Sequence, residues 1–131
     1  MPRGQHPINL FFCGDAHKGS VLSSGHGWQK LVDMMGAEYK GCKNNYGADG
    51  GDMIEAIMVD DKRFSPEKFT EPLPLAQMES VIADRQPIKD KLLYILMGNH
   101  ERCLWRFGDL TAEVCKKLGV EYGTYTVKLT V

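Results

Sequence analysis

Residues 92–97, Leu-Leu-Tyr-Ile-Leu-Met, form a continuous apolar run that leads directly into Gly-Asn-His-Glu at 98–101. A short apolar run of this kind predicts a buried β-strand. The amide, imidazole and carboxylate that follow are poor material for a hydrophobic core, but they are useful in a functional site. Because ligands in open α/β folds bind outside the carboxyl ends of strands, the segment predicts a strand that carries a site at its end.

Two further clusters of oxygen-bearing and imidazole side chains lie upstream. Residues 14–17, Gly-Asp-Ala-His, follow the apolar segment 8–13, which predicts a second strand, one covered on both faces. Residues 51–55 read Gly-Asp-Met-Ile-Glu. Oxygen and imidazole groups are the ligands of hard and borderline divalent cations, so the three clusters together predict one metal site.

Hydrophobic periodicity predicts an α/β fold in which helices and strands alternate. Glycines mark the ends of two helices, Gly36 for the first and Gly119 for the last. The predicted elements, in chain order, are a strand (8–13), a helix (28–35), a loop (37–51), a short helix (53–59), an irregular excursion (60–74), a helix (75–85), a strand (92–97), a helix (110–118) and a strand (125–131).

The composition is that of an ordinary globular chain: 131 residues, 43% hydrophobic and 25% charged, with a net charge of −1. We therefore expect a single domain over residues 1–131 and no broad electrostatic attraction to nucleic acid or membrane. The sequence contains neither a membrane-spanning apolar run nor a signal-peptide pattern, which predicts a cytoplasmic protein. Its four cysteines form no CxxC pair, which excludes a zinc ribbon and favours reduced thiols.

Ligands of this kind without a thiolate favour Mn²⁺, Fe, Zn²⁺ or Mg²⁺. Asp15 and His17 alternate along a segment that we expect to be extended, so both side chains would face one ion. Asp52 follows two glycines that allow a close approach of the backbone, and its carboxylate would bridge two ions about 3.5–4 Å apart. Asn99 offers a neutral carbonyl oxygen, and His100 offers a proton donor for a leaving group.

Three more charged side chains belong to the predicted surroundings of the metal. Glu101 is predicted to orient a ligating imidazole, a common role for a carboxylate beside a metal-bound histidine. Glu55 closes the second cluster and is predicted to support the ligands or to contact the substrate. Arg102 follows the third cluster, where a guanidinium fork suits a substrate phosphate.

The three clusters resemble the sequence blocks of the calcineurin-like metallophosphoesterases. The family blocks are D-x-H, then GD-x-x-D or GD-x-x-E, then GNH followed by D or E, and residues 15–17, 51–55 and 98–101 match them in order. The resemblance covers residues 8 to about 105 and implies a β-sandwich flanked by helices. It also implies a two-metal hydrolase acting on a phosphodiester or phosphomonoester, with nucleic acid and nucleotides among the candidate substrates.

Carried over residue by residue, the resemblance implies a role for each matching side chain. Asp15 and His17 would hold the first metal, Asp52 would bridge the two ions, and Asn99 would hold the second. His100 would protonate the leaving oxygen. Manganese is the ion that we expect, with iron, zinc or magnesium as alternatives.

The chain departs from the family pattern in three respects. The family has two further histidine blocks downstream, the last usually GH-x-H, whereas no histidine follows His100, so we expect a domain shortened on its C-terminal side. No apolar strand precedes Gly51, because residues 44–50 are rich in asparagine and glycine. The arginines of the protein-phosphatase blocks GD-x-x-DRG and LRGNHE are absent, which favours the nuclease, phosphodiesterase and phage-type branches.

Each cluster also has an ordinary explanation. Asp15 and His17 are common turn residues, and Asp52 alone would cap a following helix. Asn99 alone would cap or turn the chain, and His100 alone would be a partly buried histidine. Their order and strand context together favour the metal site. The rival function is a non-catalytic or incomplete domain that acts as a binding module or takes ligands from a second chain, as in a homo-oligomer.

Overall fold

The structure, a computed structural model, describes residues 6–130 and contains a four-stranded parallel sheet with helices. Its strands lie side by side in chain order and are β1 (Asn9–Cys13), β2 (Asn45–Asp49), β3 (Leu92–Leu96) and β4 (Glu121–Thr124). The predicted α/β class is confirmed. Because all four strands are parallel, their carboxyl ends lie along one edge of the sheet.

The helices are α1 (Gly25–Gly36), α2 (Pro74–Arg85), α3 (Asn99–Cys103) and α4 (Leu110–Leu118), with short 3₁₀ turns at Pro66–Lys68, Gln86–Lys91 and Trp105–Phe107. The Ser24 side chain caps α1 and the Asp109 side chain caps α4, each by accepting a backbone N–H of the first turn. Gly119 ends α4 in the left-handed conformation. Within residues 6–130 no helix has the length and apolar character needed to cross a membrane.

The core lies where α1, α2 and α4 pack on the sheet. Its fully buried apolar side chains include Met35, Val81, Ile95 and Val114. The sheet is not covered equally on both faces, since the Phe12 side chain of the edge strand β1 is 72% exposed. The prediction that the first strand is covered on both faces is therefore wrong.

β2 lies inside the segment predicted to be a loop (37–51), and that prediction is wrong. Two of its five residues, Asn45 and Asp49, are buried polar side chains that make hydrogen bonds. The Asn45 amide donates to the carbonyls of Met34 and Ala37, at 3.2 and 2.6 Å, and accepts from the Asn9 side chain at 2.8 Å. Hydrophobic periodicity does not detect a buried strand of this kind. β2 also supplies a strand directly before Gly51, where the sequence had indicated none.

Two other predicted elements differ from the structure. The short helix predicted at 53–59 is absent because Ala56 has a φ of 56°, which an α-helix does not allow, and Ile54 instead bridges Lys18. The last strand ends at Thr124, so the strand predicted at 125–131 is wrong over 125–130, while residue 131 lies outside the described residues. α3, which begins at Asn99, was not predicted.

A buried ion pair connects the centre of the sheet to α2. The Arg85 guanidinium donates through Nε and Nη2 to Asp49 Oδ2 at 2.9 and 2.6 Å, and the two side chains are 1% and 0% exposed. Asp49 Oδ1 accepts the Gly51 N–H at 3.0 Å. The central carbon of the guanidinium, Cζ, also lies 4.3 Å from the centre of the Trp28 ring in α1. One pair therefore fixes β2, both helices and the start of the Gly51 loop.

Replacing Arg85 with alanine leaves the Asp49 carboxylate buried without a counter-charge. We expect Arg85→Ala to lower the free energy of unfolding by about 3–5 kcal/mol, the usual effect of removing one partner of a buried pair. Urea unfolding followed by circular dichroism measures this change.

The surface pair of Arg63 with Asp61, at 2.7 Å, is the matched control, and Arg63→Ala should barely move the unfolding midpoint. The double variant Asp49→Asn/Arg85→Met should recover much of the lost stability because no charge is then buried alone. Equal, small shifts for Arg85→Ala and Arg63→Ala would contradict the structural role of the buried pair.

Candidate metal centre

Three loops meet at the carboxyl edge of the sheet, one after each of β1, β2 and β3. The first two run side by side and exchange backbone hydrogen bonds. The Asp15 N–H donates to the Gly51 carbonyl at 3.0 Å, and the His17 N–H donates to the Asp52 carbonyl, also at 3.0 Å. The bridge between Lys18 and Ile54 continues this pairing. The predicted ligands of the first two clusters are therefore held at a fixed spacing.

The buried carboxylate of Glu101 joins the second loop to the third. Its Oε2 accepts the N–H groups of Asp52 and Gly98 at 3.0 and 2.9 Å, and its Oε1 accepts the Ile54 N–H at 3.0 Å. Burial raises the pKa of Glu101, and the hydrogen bond from Ile54 opposes that rise. The prediction that Glu101 orients an imidazole is wrong, because its partners are these backbone groups.

Two glycines permit this close approach. Gly51 has a φ of 91°, and a Cβ atom there would overlap the backbone nitrogen of Gly98. A Cβ atom on Gly98 would likewise overlap the backbone nitrogen of Asp52. Side chains at either position would push the second and third loops apart.

His17, Asp52 and His100 converge at this edge. Each offers one ligand atom, and the three atoms lie within 4.8 Å of one another. The two imidazole rings meet edge to face, with their centres 4.4 Å apart and their planes at 85°. The three side chains come from three different loops and are half-buried. An arrangement of this size and composition suits a divalent cation.

Glu55 orients both imidazoles. Its Oε2 lies 3.1 Å from His17 Nδ1, and its backbone carbonyl lies within hydrogen-bond distance of His100 Nδ1. A carbonyl oxygen only accepts, so Nδ1 of His100 carries the proton in this contact. Both rings thus have Nδ1 engaged and Nε2 left for another partner, which is the usual state of a metal-ligating histidine. The predicted role of Glu55, to support the ligands or to contact the substrate, stays a prediction.

The Asp52 carboxylate has one hydrogen-bond partner among the described residues, the backbone of His100. Its Oδ1 accepts the His100 N–H at 2.9 Å. A side chain from the second loop therefore satisfies a backbone N–H in the first turn of α3. The explanation that Asp52 caps a helix directly following it is wrong, because residues 53–59 form no helix and its partner lies in α3. The second carboxylate oxygen adds the capacity to bind a cation.

The other predicted site residues lie at the rim. The Asp15 side chain is 83% exposed, with Oδ1 3.7 Å from His17 Nε2. Asn99 is exposed at the first residue of α3. Arg102 is exposed, and its guanidinium lies 5.7 Å from the centre of the Tyr125 ring. Their roles as ligands or substrate contacts stay predictions.

The backbone is strained at three of the predicted site residues. Asp15, His17 and Asp52 have φ values of 52°, 44° and 49°. They are three of the six non-glycine residues with positive φ among the described residues. The extended conformation predicted for Asp15 and His17 is therefore wrong. Left-handed residues of this kind are often found at functional sites.

A cavity of about 670 Å³ adjoins the imidazole cluster. Its walls include Lys18, Trp28 and Asp84, none of which was predicted to belong to the site. No motif or spacing in the sequence marks these residues, because they come from separate segments that only the fold brings together.

No protein-family model matches the chain, and no curated protein matches it. A functional assignment therefore rests on the side chains at this edge of the sheet and on the resemblance of their sequence blocks.

Replacing Glu101 with glutamine tests the connection between the loops. A carboxamide has one acceptor oxygen, so at least one of the three backbone N–H groups loses its partner. We expect Glu101→Gln to lower the free energy of unfolding by about 1–3 kcal/mol. We also expect faster hydrogen exchange at the amides of Asp52, Ile54 and Gly98, measured by NMR.

The exposed Glu113 in the first turn of α4 provides the matched control. Glu113→Gln should change neither the unfolding midpoint nor those three amides. Unchanged exchange at Asp52, Ile54 and Gly98 in Glu101→Gln would show that the carboxylate does not hold the loops.

Proposed function

We propose that the chain is a metal-dependent phosphoester hydrolase of the calcineurin-like type. The observation that carries this proposal is the convergence of His17, Asp52 and His100 from three strand exits onto one point. The order of their sequence blocks is the order found in that family. A phosphodiester or phosphomonoester is the substrate, with nucleotides and nucleic acid among the candidates.

The side chains present fit a divalent cation. His17 and Asp52 would hold the ion. The predicted ligands Asp15 and Asn99 lie at the rim of the same site. Glu55 fixes the His17 ring so that Nε2 is presented, as the ligand role requires. A bound divalent ion, manganese in our proposal, lowers the pKa of water and neutralises charge on phosphoryl oxygens.

His100 would supply the proton to the departing oxygen. Its Nδ1 is engaged by the Glu55 carbonyl, so Nε2 is the atom from which the proton would leave. The backbone N–H of the same residue is held by Asp52, which fixes the ring close to the proposed ion. Positioned proton transfer of this kind contributes about 10²–10⁴-fold to a reaction rate.

The four-stranded sheet would be one layer of the metallophosphoesterase-like sandwich. Two observations support this assignment. β2 lies immediately before Gly51, where the family pattern has a strand. The edge strand β1 leaves Phe12 exposed, as expected where a second layer would pack.

A second candidate is an incomplete or non-catalytic domain. It is favoured by the size of the cluster, in which three ligand atoms converge among residues 6–130. Ligands from another copy of the chain would complete such a site. Activity per chain would then fall on dilution, because dissociation separates the shared ligands.

The Asp52→Asn variant tests the metal assignment. The amide retains Oδ1 as an acceptor for the His100 N–H, so the fold should survive while the negative charge is lost. We expect Mn²⁺ affinity, measured by calorimetric titration, to fall at least tenfold. Mn²⁺-dependent hydrolysis of bis(4-nitrophenyl) phosphate should fall at least a hundredfold.

Asp90→Asn, at an exposed carboxylate of the turn before β3, serves as the control and should alter neither quantity. Two tight ions per wild-type chain would support the two-metal hydrolase. If Asp52→Asn keeps full Mn²⁺-dependent activity, the assignment is wrong.

The His100→Gln variant separates proton donation from metal binding. As a proton donor, His100 should contribute to turnover but not to affinity for the ion. We expect kcat for the same diester to fall about 10²-fold or more while Mn²⁺ affinity changes less than threefold. A parallel loss of Mn²⁺ affinity would make His100 a ligand instead, and His26→Gln in the exposed first turn of α1 is the control.

A further inference from the structure

The cavity beside the imidazole cluster is too large for a phosphoryl group alone. It has a volume of about 670 Å³ and runs from His17 and His100 to Trp28 and Leu31 of α1 and to the end of α2. Sites of about 300–1,000 Å³ commonly enclose a small organic ligand. With a phosphoryl group at the imidazoles, most of the volume is left for whatever the phosphoryl group is attached to.

The polar groups in the cavity wall already have partners. Ser23 Oγ donates to the Ala16 carbonyl at 2.7 Å, and Ser24 Oγ accepts the Gly27 N–H at 3.0 Å. Trp28 Nε1 donates to the Asp84 carbonyl at 2.9 Å. These groups are occupied within the protein and are poorly suited to bind the hydroxyls of a sugar or a second phosphate.

The two cationic groups of the wall, Lys18 and Arg85, are paired in the same way. Lys18 Nζ lies 2.6 Å from Asp84 Oδ2, and the Arg85 guanidinium is committed to the buried Asp49. What the wall offers a ligand is therefore mainly apolar surface from Leu22, Trp28 and Leu31. Leu22 is 89% exposed and extends the apolar part of this wall toward the open side of the cavity.

We propose that this cavity binds the organic group of the phosphoester and that this group is an aromatic ring, which can pack against the Trp28 indole in the wall. The substrate class is then an aryl phosphoester or a nucleotide that places only the face of its base in the cavity, since both present a flat π-face. The inference rests on the proposed function for the position of the phosphoryl group, but binding of the ring itself does not require catalysis.

The two tryptophans allow ring binding to be observed directly. Trp28 lies in the cavity wall, whereas Trp105 is 55% exposed on the turn after α3 and is not part of the wall. In the Mg²⁺-loaded protein, phenylphosphonate should shift the indole N–H signal of Trp28 and leave that of Trp105 unchanged. Methylphosphonate, which lacks the ring, should bind at least tenfold more weakly.

Matched variants locate the ring. A Cβ atom at Gly25, in the cavity wall at the start of α1, meets nothing within 4 Å, and the same is true at Gly36 at the other end of the helix. Gly25→Phe should weaken phenylphosphonate at least tenfold and spare methylphosphonate, while Gly36→Phe should change neither. Leu22→Ala should weaken phenylphosphonate and its exposed neighbour Val21→Ala should not.

The probes also separate this inference from the proposed function. Phenol and adenosine carry rings without a phosphoryl group, so a shift of Trp28 by either supports the ring site even if phosphonates fail to bind, and the one that binds more tightly indicates the substrate class. Equal affinity for phenylphosphonate and methylphosphonate, with Trp28 unmoved by every ring, would overturn the inference and leave the hydrolase proposal standing.

Discussion

The candidate site depends on the buried carboxylate of Glu101. Its two oxygens accept three backbone N–H groups, two from the Gly51 loop and one from Gly98, so the loops after β2 and β3 are held as one unit. The Gly51 loop in turn pairs with the loop after β1 through backbone hydrogen bonds. Because a buried acceptor compensates for its lost hydration only when donors surround it, the loops and the carboxylate depend on each other.

A second constraint lies in β2, the strand that precedes the Gly51 loop. β2 is the less apolar of the two central strands, yet its polar side chains Asn45 and Asp49 are almost fully buried. Asn45 binds the end of α1 and Asp49 binds Arg85 of α2, so the polar side chains of the strand connect it to both helices. These contacts help to fix the register of the strand. A shift by one residue would move the Asp49 carboxylate away from Arg85 and leave a buried charge unpaired.

Hydrophobic periodicity predicted the elements whose stability comes from apolar burial. The helices around Met35, Val81 and Val114 and the strands 9–13 and 92–96 were found because one face or run of each is apolar. β2 was missed because two of its buried side chains, Asn45 and Asp49, are polar. The helix at 53–59 was wrongly expected because nothing in its sequence reveals the left-handed Ala56.

The candidate site was also predictable from the sequence only in part. The three sequence clusters predicted that His17, Asp52 and His100 share one site, because the ends of adjacent parallel strands lie near one another. The structure brings these three side chains together. The roles of Glu55 and Glu101 were not separable, since which carboxylate faces an imidazole depends on loop backbone conformation. The surroundings favour a cation at the cluster and disfavour a bare phosphate. The carboxylates of Asp15, Asp52 and Glu55 lie around it, and the two cations of the adjoining cavity wall, Lys18 and Arg85, are already paired. In the proposed hydrolase, a phosphoester would therefore need a bound divalent ion to hold it at this edge of the sheet.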